Sequence, residues 1–171
     1  MSYVRLRSEL LATREAREAA LADALRLAGE SLVFASTAVP GAHKSPPGTA
    51  ALLQWALELL RSIPGPLIVL GQGEDALGPY ALLTLPCAPR RVKRACVALE
   101  DQTPQARLLD LDVYGRGGVR VGRSDLGLPA RPCLLCQRPA VECMRLRRHD
   151  TAALASHAER LLSQVAAPPA G

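Results

Sequence analysis

Two aspartates set one residue apart inside an apolar run are the part of this 171-residue chain that points most directly to chemistry. If Leu108-Leu109-Asp110-Leu111-Asp112-Val113-Tyr114 is a β-strand, Asp110 and Asp112 share one face while Leu109, Leu111 and Val113 point to the other. The two carboxylates are then rooted about 6–7 Å apart, from the strand rise per residue. Side chains of that length can converge on one or two Mg2+ ions and, through them, on a polyphosphate. Metal-assisted phosphoryl chemistry needs that neutralisation of a departing pyrophosphate. A solvated strand face is the functionless alternative, but such faces favour Thr, Lys or Glu, and Asp is a poor strand former.

Candidate phosphate ligands lie in three places. Arg90, Arg91, Lys93 and Arg94 crowd the start of a helix that opens at Pro89, where the helix dipole disfavours cations unless an anion is near; a solvated basic face reached by long side chains is the other reading. His43 and Lys44 occupy a loop that could also reach phosphate. Arg107 precedes the aspartate strand at odd spacing from Asp110, so it starts on the opposite face unless the chain bends.

A second constellation is Cys133, Cys136, Cys143 and His149. A C-x2-C knuckle followed by two further soft ligands is a recognisable zinc pattern, although the later spacings are unusual. A small core of free thiols is the bland alternative. A catalytic thiol is disfavoured because the one histidine near in sequence serves equally well as a ligand. Cys87 and Cys96 read as packing residues.

The elements that must hold these groups follow from periodicity. Ser8 to Ala28 reads as a helix capped by Ser8 and stopped by Gly29. Leu32–Ala38 fits a buried strand, followed by a Pro40-Gly41 turn and a loop to Gly48. Thr49 is placed to cap a second helix with an apolar stripe of Leu52, Leu53, Ala56, Leu59, Leu60 and Ile63. Leu67–Leu70 and Tyr80–Leu85 are further strands, joined by a glycine-punctuated connection over Gly71–Gly78. A helix from Pro89 to Asp101 and a strand over Arg107–Tyr114 follow, with Val119 and Val121 as a small extra strand. From residue 31 the order is strand, helix, strand, strand, helix, strand, which predicts an α+β fold with a ferredoxin-like βαββαβ core. The expected organisation is one domain, 1–171: an N-terminal helix over 8–28, the core over 31–121, an Arg- and Cys-rich segment over 123–149, a C-terminal helix over 151–165, and a disordered tail at 166–171.

Charge and composition narrow the partners. The net charge is +5, and residues 86–148 hold the whole excess, with thirteen basic and six acidic side chains. Such a segment suits a polyanion: nucleic acid, a polyphosphate ligand or an acidic protein. At 3% aromatic content the chain has few stacking platforms, and it carries no helix-turn-helix or RNP signature, so nucleic acid is not expected. No apolar stretch approaches the length that spans a bilayer, so no membrane role is expected either. Five cysteines, an odd number, without a secretory segment point to a cytoplasmic setting and to metal or packing rather than disulfides.

These residues resemble the citrate lyase holo-acyl-carrier-protein synthase family, also called apo-citrate lyase phosphoribosyl-dephospho-CoA transferase. The resemblance runs from Leu10-Leu11-Ala12-Thr13-Arg14-Glu15 nearly to His149. Its most specific portions are Arg107-Leu108-Leu109-Asp110-Leu111-Asp112-Val113, then Ser124-Asp125-Leu126-Gly127-Leu128-Pro129-Ala130-Arg131, then Cys133-Leu134-Leu135-Cys136. Weaker matches lie at Val39-Pro40-Gly41 with Lys44, and at Val97-Ala98-Leu99-Glu100; Ala106 departs from it, a glycine being expected there. The resemblance implies transfer of 2'-(5''-triphosphoribosyl)-3'-dephospho-CoA to a serine of the apo citrate lyase acyl carrier subunit, with pyrophosphate released. It implies that Asp110 and Asp112 hold Mg2+ against the triphosphate and that basic side chains, among them Lys44, Arg90, Lys93, Arg94 and Arg107, steady the pyrophosphate. An acyl carrier protein is typically acidic, which gives the basic segment a second task in docking. The Arg-x-x-Asp-Leu-Asp pattern is also similar to that of hydroxymethyl-dihydropterin pyrophosphokinase, a ferredoxin-like enzyme with paired aspartates for Mg-ATP, but its pterin pocket wants aromatic walls. A zinc-stabilised module that binds an acidic protein without chemistry remains the non-enzymatic alternative, and it leaves Asp110 and Asp112 without a purpose.

Overall fold

The run from Ser31 to Thr37 is buried almost throughout, and this makes it the middle of the sheet. The structure is a computed structural model that describes residues 3–165, with side chains from residue 8, so the tail expected at 166–171 lies outside the described residues. Its elements are α1 (Tyr3–Leu27), β1 (Ser31–Thr37), α2 (Thr49–Leu60), β2 (Ile68–Asp75), β3 (Gly78–Leu85), α3 (Pro89–Glu100), β4 (Leu109–Gly115), β5 (Arg120–Val121), α4 (Ala140–Arg145) and α5 (Thr151–Leu162). The five strands form one antiparallel sheet in the order β2-β3-β1-β4-β5. This is a mixed α+β architecture, and the expected order of strand, helix, strand, strand, helix, strand holds from residue 31 to 115.

One face of the sheet carries the main core. Val33, Ala35, Leu83, Leu85, Leu109, Leu111 and Val113 meet the apolar sides of α2, α3 and α5, with Leu52, Leu60, Val92, Cys96 and Leu162 fully or nearly fully buried among them. Each such leucine contributes about 1.5–3 kcal/mol of transfer free energy. The other face is covered by α1, whose Ala24 packs with Leu32 and Leu82, flanked by Phe34, Tyr80 and Tyr114. Arg17 pins that helix down. It donates to both carboxylate oxygens of Asp75, at 2.8 Å each, and to the Gly78 carbonyl, while its guanidinium lies 4.7 Å from the centre of the Tyr80 ring.

Several local expectations need correction. Ser8 lies inside α1 and does not cap it, since nothing in residues 3–7 stops a helix. Gly48 is the N-cap of α2 at φ +93°, and Thr49 is the first helical residue, bonding back to the Pro46 carbonyl. Only glycine suits position 48, because a Cβ there would stand 2.5 Å from the Leu162 carbonyl oxygen at the end of α5. The Gly71–Gly78 stretch is strand rather than connection. β2 runs on to Asp75 through a bulge between Val69 and Gly71, then turns tightly into β3. As an edge strand it needs one ladder only, which tolerates the glycines. The aspartate strand starts at Leu109, since Gln105–Leu108 forms a 3-10 turn holding Arg107. Ala106 sits fully buried in that turn without positive φ, so no glycine is required. Residues 140–145 supply a short helix that carried no clear period.

Candidate active site

In β4 the burial alternates as the sequence requires: Leu109, Leu111 and Val113 face the core, and Asp110, Asp112 and Tyr114 look out of the other face. The aspartates stand opposite Ser36 and Phe34 of β1. Asp112 is held by Arg120, which reaches across from β5, where it pairs with Tyr114; the Nε–Oδ1 distance is 3.0 Å and a second guanidinium nitrogen donates to the same oxygen. Asp110 has no hydrogen bond or ion pair among the described residues. Burial pushes its carboxyl above the usual range and the neighbouring Asp112 charge adds to this, while Arg131 opposes them. A partly buried carboxylate without a partner, beside a second one, is a donor set that a divalent cation would satisfy.

The strand is held by charges the periodicity did not reveal. β5 covers only Val113 and Tyr114, so the outer edge of β4 at Leu111 has no strand partner. Two α3 side chains take its place: Lys93 donates to the Leu111 carbonyl at 2.7 Å, and Glu100 accepts from the Leu111 N–H at 3.0 Å. Lys93 is 6% and Glu100 2% exposed. Arg131 pairs with Glu100 at 2.8 Å and donates to the Leu109 carbonyl, while Arg123 bridges Glu100 and Asp101. Buried charges need compensation: Glu100 is paired with two arginines, and Lys93 is hydrogen-bonded to the Leu111 carbonyl. Arg120, Arg131 and Glu100 therefore join the site. The signal for Arg120 was present in the sequence, since alternation in Val119-Arg120-Val121 puts it on the aspartate face. Nothing local could have placed Arg131 against Glu100.

The other expected phosphate ligands are dispersed. Lys44 lies beyond β1 and donates to the Val39 carbonyl at 2.9 Å; burial and the Arg14 charge lower its pKa. Arg107 donates to the carbonyls of Pro132 and Cys133, so it ties the 3-10 turn to the cysteine-rich segment. Arg90, Arg91 and Arg94 are exposed on α3, and His43 is exposed in its loop.

Cys133, Cys136, Cys143 and His149 do come together, with ligand atoms all within 4.8 Å of one another. The Pro132–Pro139 bridge and the Cys133 N–H bond to the Arg138 carbonyl fold the C-x2-C stretch into a knuckle. Cys143 and His149 arrive from α4 and the turn after it. The Cys136 and Cys143 sulfurs are 3.6 Å apart, and Cys136 is 3.4 Å from His149 Nε2. Tetrahedral coordination with Zn–S of about 2.3 Å would space two sulfurs at about 3.8 Å, so the group can hold a metal ion. Burial raises the Cys133 thiol, yet the backbone N–H groups of Leu135 and Cys136 point at it and bring it below its ordinary value. Cys87 and Cys96 are buried in the core, as packing residues would be, and burial pushes Cys96 up to about 12. No helix among the described residues is long and apolar enough to cross a membrane.

Comparison with known proteins supplies the family. Residues 6–165 match the family described as apo-citrate lyase phosphoribosyl-dephospho-CoA transferase. The chain is 32% identical over 161 residues to proteins of that name from Escherichia coli O139:H28 (strain E24377A / ETEC) and Escherichia coli O8 (strain IAI1), covering 92% of this chain and 88% of theirs. The protein of that name from Shigella boydii serotype 18 matches with the same identity and coverage. A match that takes in α1, the aspartate strand, the cysteine–histidine cluster and α5 means that the chain belongs to the apo-citrate lyase phosphoribosyl-dephospho-CoA transferase family.

Proposed function

We propose that this protein transfers the phosphoribosyl-dephospho-CoA group of 2'-(5''-triphosphoribosyl)-3'-dephospho-CoA to a serine of the apo citrate lyase acyl carrier subunit. The serine oxygen forms a bond to the α-phosphorus and gives up its proton to water, the bond from that phosphorus to the bridging oxygen breaks, and pyrophosphate departs with the electron pair. The observation that carries this reading is Asp110, partly buried and without a partner among the described residues, beside Asp112 on the strand of a chain from this family. Asp110 and Asp112 would hold Mg2+, which supplies charge neutralisation at the triphosphate. Arg120 fixes the rotamer of Asp112, and Arg131 offsets part of the negative charge at Asp110.

For the pyrophosphate, the cations best placed to change partners are Lys44, Arg90 and Arg94. Lys44 is partly desolvated, which strengthens its attraction to an anion, and the two arginines are exposed. Lys93 and Arg107 act through the backbone carbonyls they bind, holding β4 and the cysteine segment in place. We read the βαββαβ order as a ferredoxin-like core, and the cysteine–histidine cluster as a structural zinc site. The basic residues of segment 86–148 suit an acidic carrier protein as well as the triphosphate.

The test is the intact mass of purified apo carrier subunit after incubation with the protein, Mg2+ and the triphosphoribosyl precursor. A gain equal to the precursor less pyrophosphate, absent without Mg2+, is expected. No gain with a competent carrier would refute the reading. Asp112→Asn separates catalysis from docking, because it should abolish transfer and leave carrier binding intact.

A further inference from the structure

A cavity of about 520 Å3 lies between the 3-10 turn before β4, the cysteine-rich segment and the start of α5. Its volume is that of a small-ligand pocket. Much of its wall is apolar, from Ala38, Leu108, Leu134, Met144 and Leu154, and Arg107, Arg131 and Arg147 add guanidinium groups. Arg131 belongs to two places at once, since it lines this cavity and also pairs with Glu100 and moderates Asp110. Through Arg131, which also donates to the Leu109 carbonyl next to Asp110, the cavity reaches the start of β4.

Arg147 supplies an independent observation. It is the one non-glycine residue with positive φ among the described residues, at 46°. It sits just past α4, where its N–H bonds the Met144 carbonyl and that of Arg148 bonds the Cys143 carbonyl, a helix stop that ordinarily takes glycine. A side chain there costs about 1–2 kcal/mol of local strain. Its guanidinium is exposed and has no protein partner among the described residues, so the position carries strain without a structural return.

Resting on the transferase reading for the identity of the ligand, we propose that this cavity receives the adenosine of the dephospho-CoA substrate, with Arg147 at its rim facing the 5'-diphosphate. In that substrate the triphosphoribosyl group is attached to the 2'-oxygen of adenosine. Adenosine is thus one ribose away from the phosphates assigned to Asp110 and Asp112, which matches a cavity that reaches the start of β4 through Arg131. Adenine is flat and uncharged, and it packs between aliphatic side chains and guanidinium planes without needing aromatic neighbours. The pantetheine arm then leaves past Arg147 toward solvent.

The experiment is calorimetric titration of the full chain with 3'-dephospho-CoA and, separately, with inorganic triphosphate in Mg2+. Arg147→Gly should weaken 3'-dephospho-CoA by roughly tenfold or more, the loss of one charge-assisted contact, while raising Tm because the strain is relieved. Leu154→Trp, which fills the cavity, should abolish that binding. Both variants should bind Mg-triphosphate as the wild type does, and Asp112→Asn should show the reverse pattern. Adenosine 5'-diphosphate should compete for the cavity and 4'-phosphopantetheine should not. Unchanged affinity in both cavity variants, competition by phosphopantetheine instead, or no binding of 3'-dephospho-CoA to the wild type overturns the proposal. If carrier mass gain persists alongside any of these, the cavity assignment alone falls; absence of mass gain counts against the transferase reading itself.

Discussion

Asp110 and Asp112 differ in what they touch, and so in what their removal should do. Asp112 is tied to Arg120, whereas Asp110 is pushed toward its neutral form by burial and by the Asp112 charge. A carboxyl whose folded pKa is raised keeps its proton to higher pH in the folded state than in the unfolded one. Its contribution therefore favours folding at low pH and is lost as pH rises through the unfolded and then the folded pKa. Asp110→Asn removes that penalty. In Mg2+-free buffer it should raise Tm, more at pH 7 than at pH 4, while transfer activity falls by several orders of magnitude. Thermal melts across that range check the first part, and a lower Tm at pH 7 would mean that the carboxylate has a stabilising partner after all. Such an opposition between stability and activity is expected where a fold holds a charge in readiness for a ligand.

At the scale of elements, the decisive contact is between α3 and the exposed edge of β4. Lys93 and Glu100 satisfy the Leu111 backbone where β5 stops short, and Glu100 also gathers Arg123 and Arg131. The aspartate strand and the segment leading to the cysteine knuckle are thus fastened to one helix. Glu100→Gln keeps an acceptor for the Leu111 N–H but leaves two guanidinium groups facing a neutral amide. Removing one partner of a buried charge network costs about 3–5 kcal/mol, so urea unfolding should show a loss of that order. A loss below about 1 kcal/mol, the worth of an exposed pair, would mean that solvent already screens the network.

Across the whole molecule, α1 and the segment 123–149 are additions on either side of the sheet core, each fixed by a few specific contacts. Arg17 fixes the first through Asp75, Gly78 and the Tyr80 ring. Arg107, together with the cysteine–histidine cluster, fixes the second. If the cluster holds zinc, elemental analysis of the purified protein should find about one equivalent, by the four-ligand count of a structural site. A strong chelator should then lower Tm and open the segment to trypsin at Arg145 and Arg148 before the sheet is cut. Absence of metal together with an unchanged melt after chelation would leave only a cluster of thiols. The same segment walls the cavity that Arg131 joins to the start of β4, so metal loss should also weaken the proposed binding of 3'-dephospho-CoA.

The sequence by itself determined whatever depends on neighbours along the chain. Alternation put Asp110 and Asp112 on one face of β4, helical spacing buried Val92, Cys96 and Leu99 in α3, and the order of elements from residue 31 followed from where apolar runs start and stop. The family was legible too, because its motifs are local strings. The sequence misplaced features whose cause lies far along the chain. Gly71 and Gly73 look like a loop until β3 lies beside them, and Thr49 looks like a cap until the end of α5 requires a glycine at 48. Lys93 and Glu100 look like surface residues of a basic helix, and only the shortness of β5 makes them the hydrogen-bonding partners of Leu111. The tertiary structure alone brought Arg131 to Glu100 and shaped the cavity that Arg131 lines with Arg107 and Arg147. The physical reason is that charge pairing and cavity walls depend on distance in space, and propensity and periodicity report only distance along the backbone.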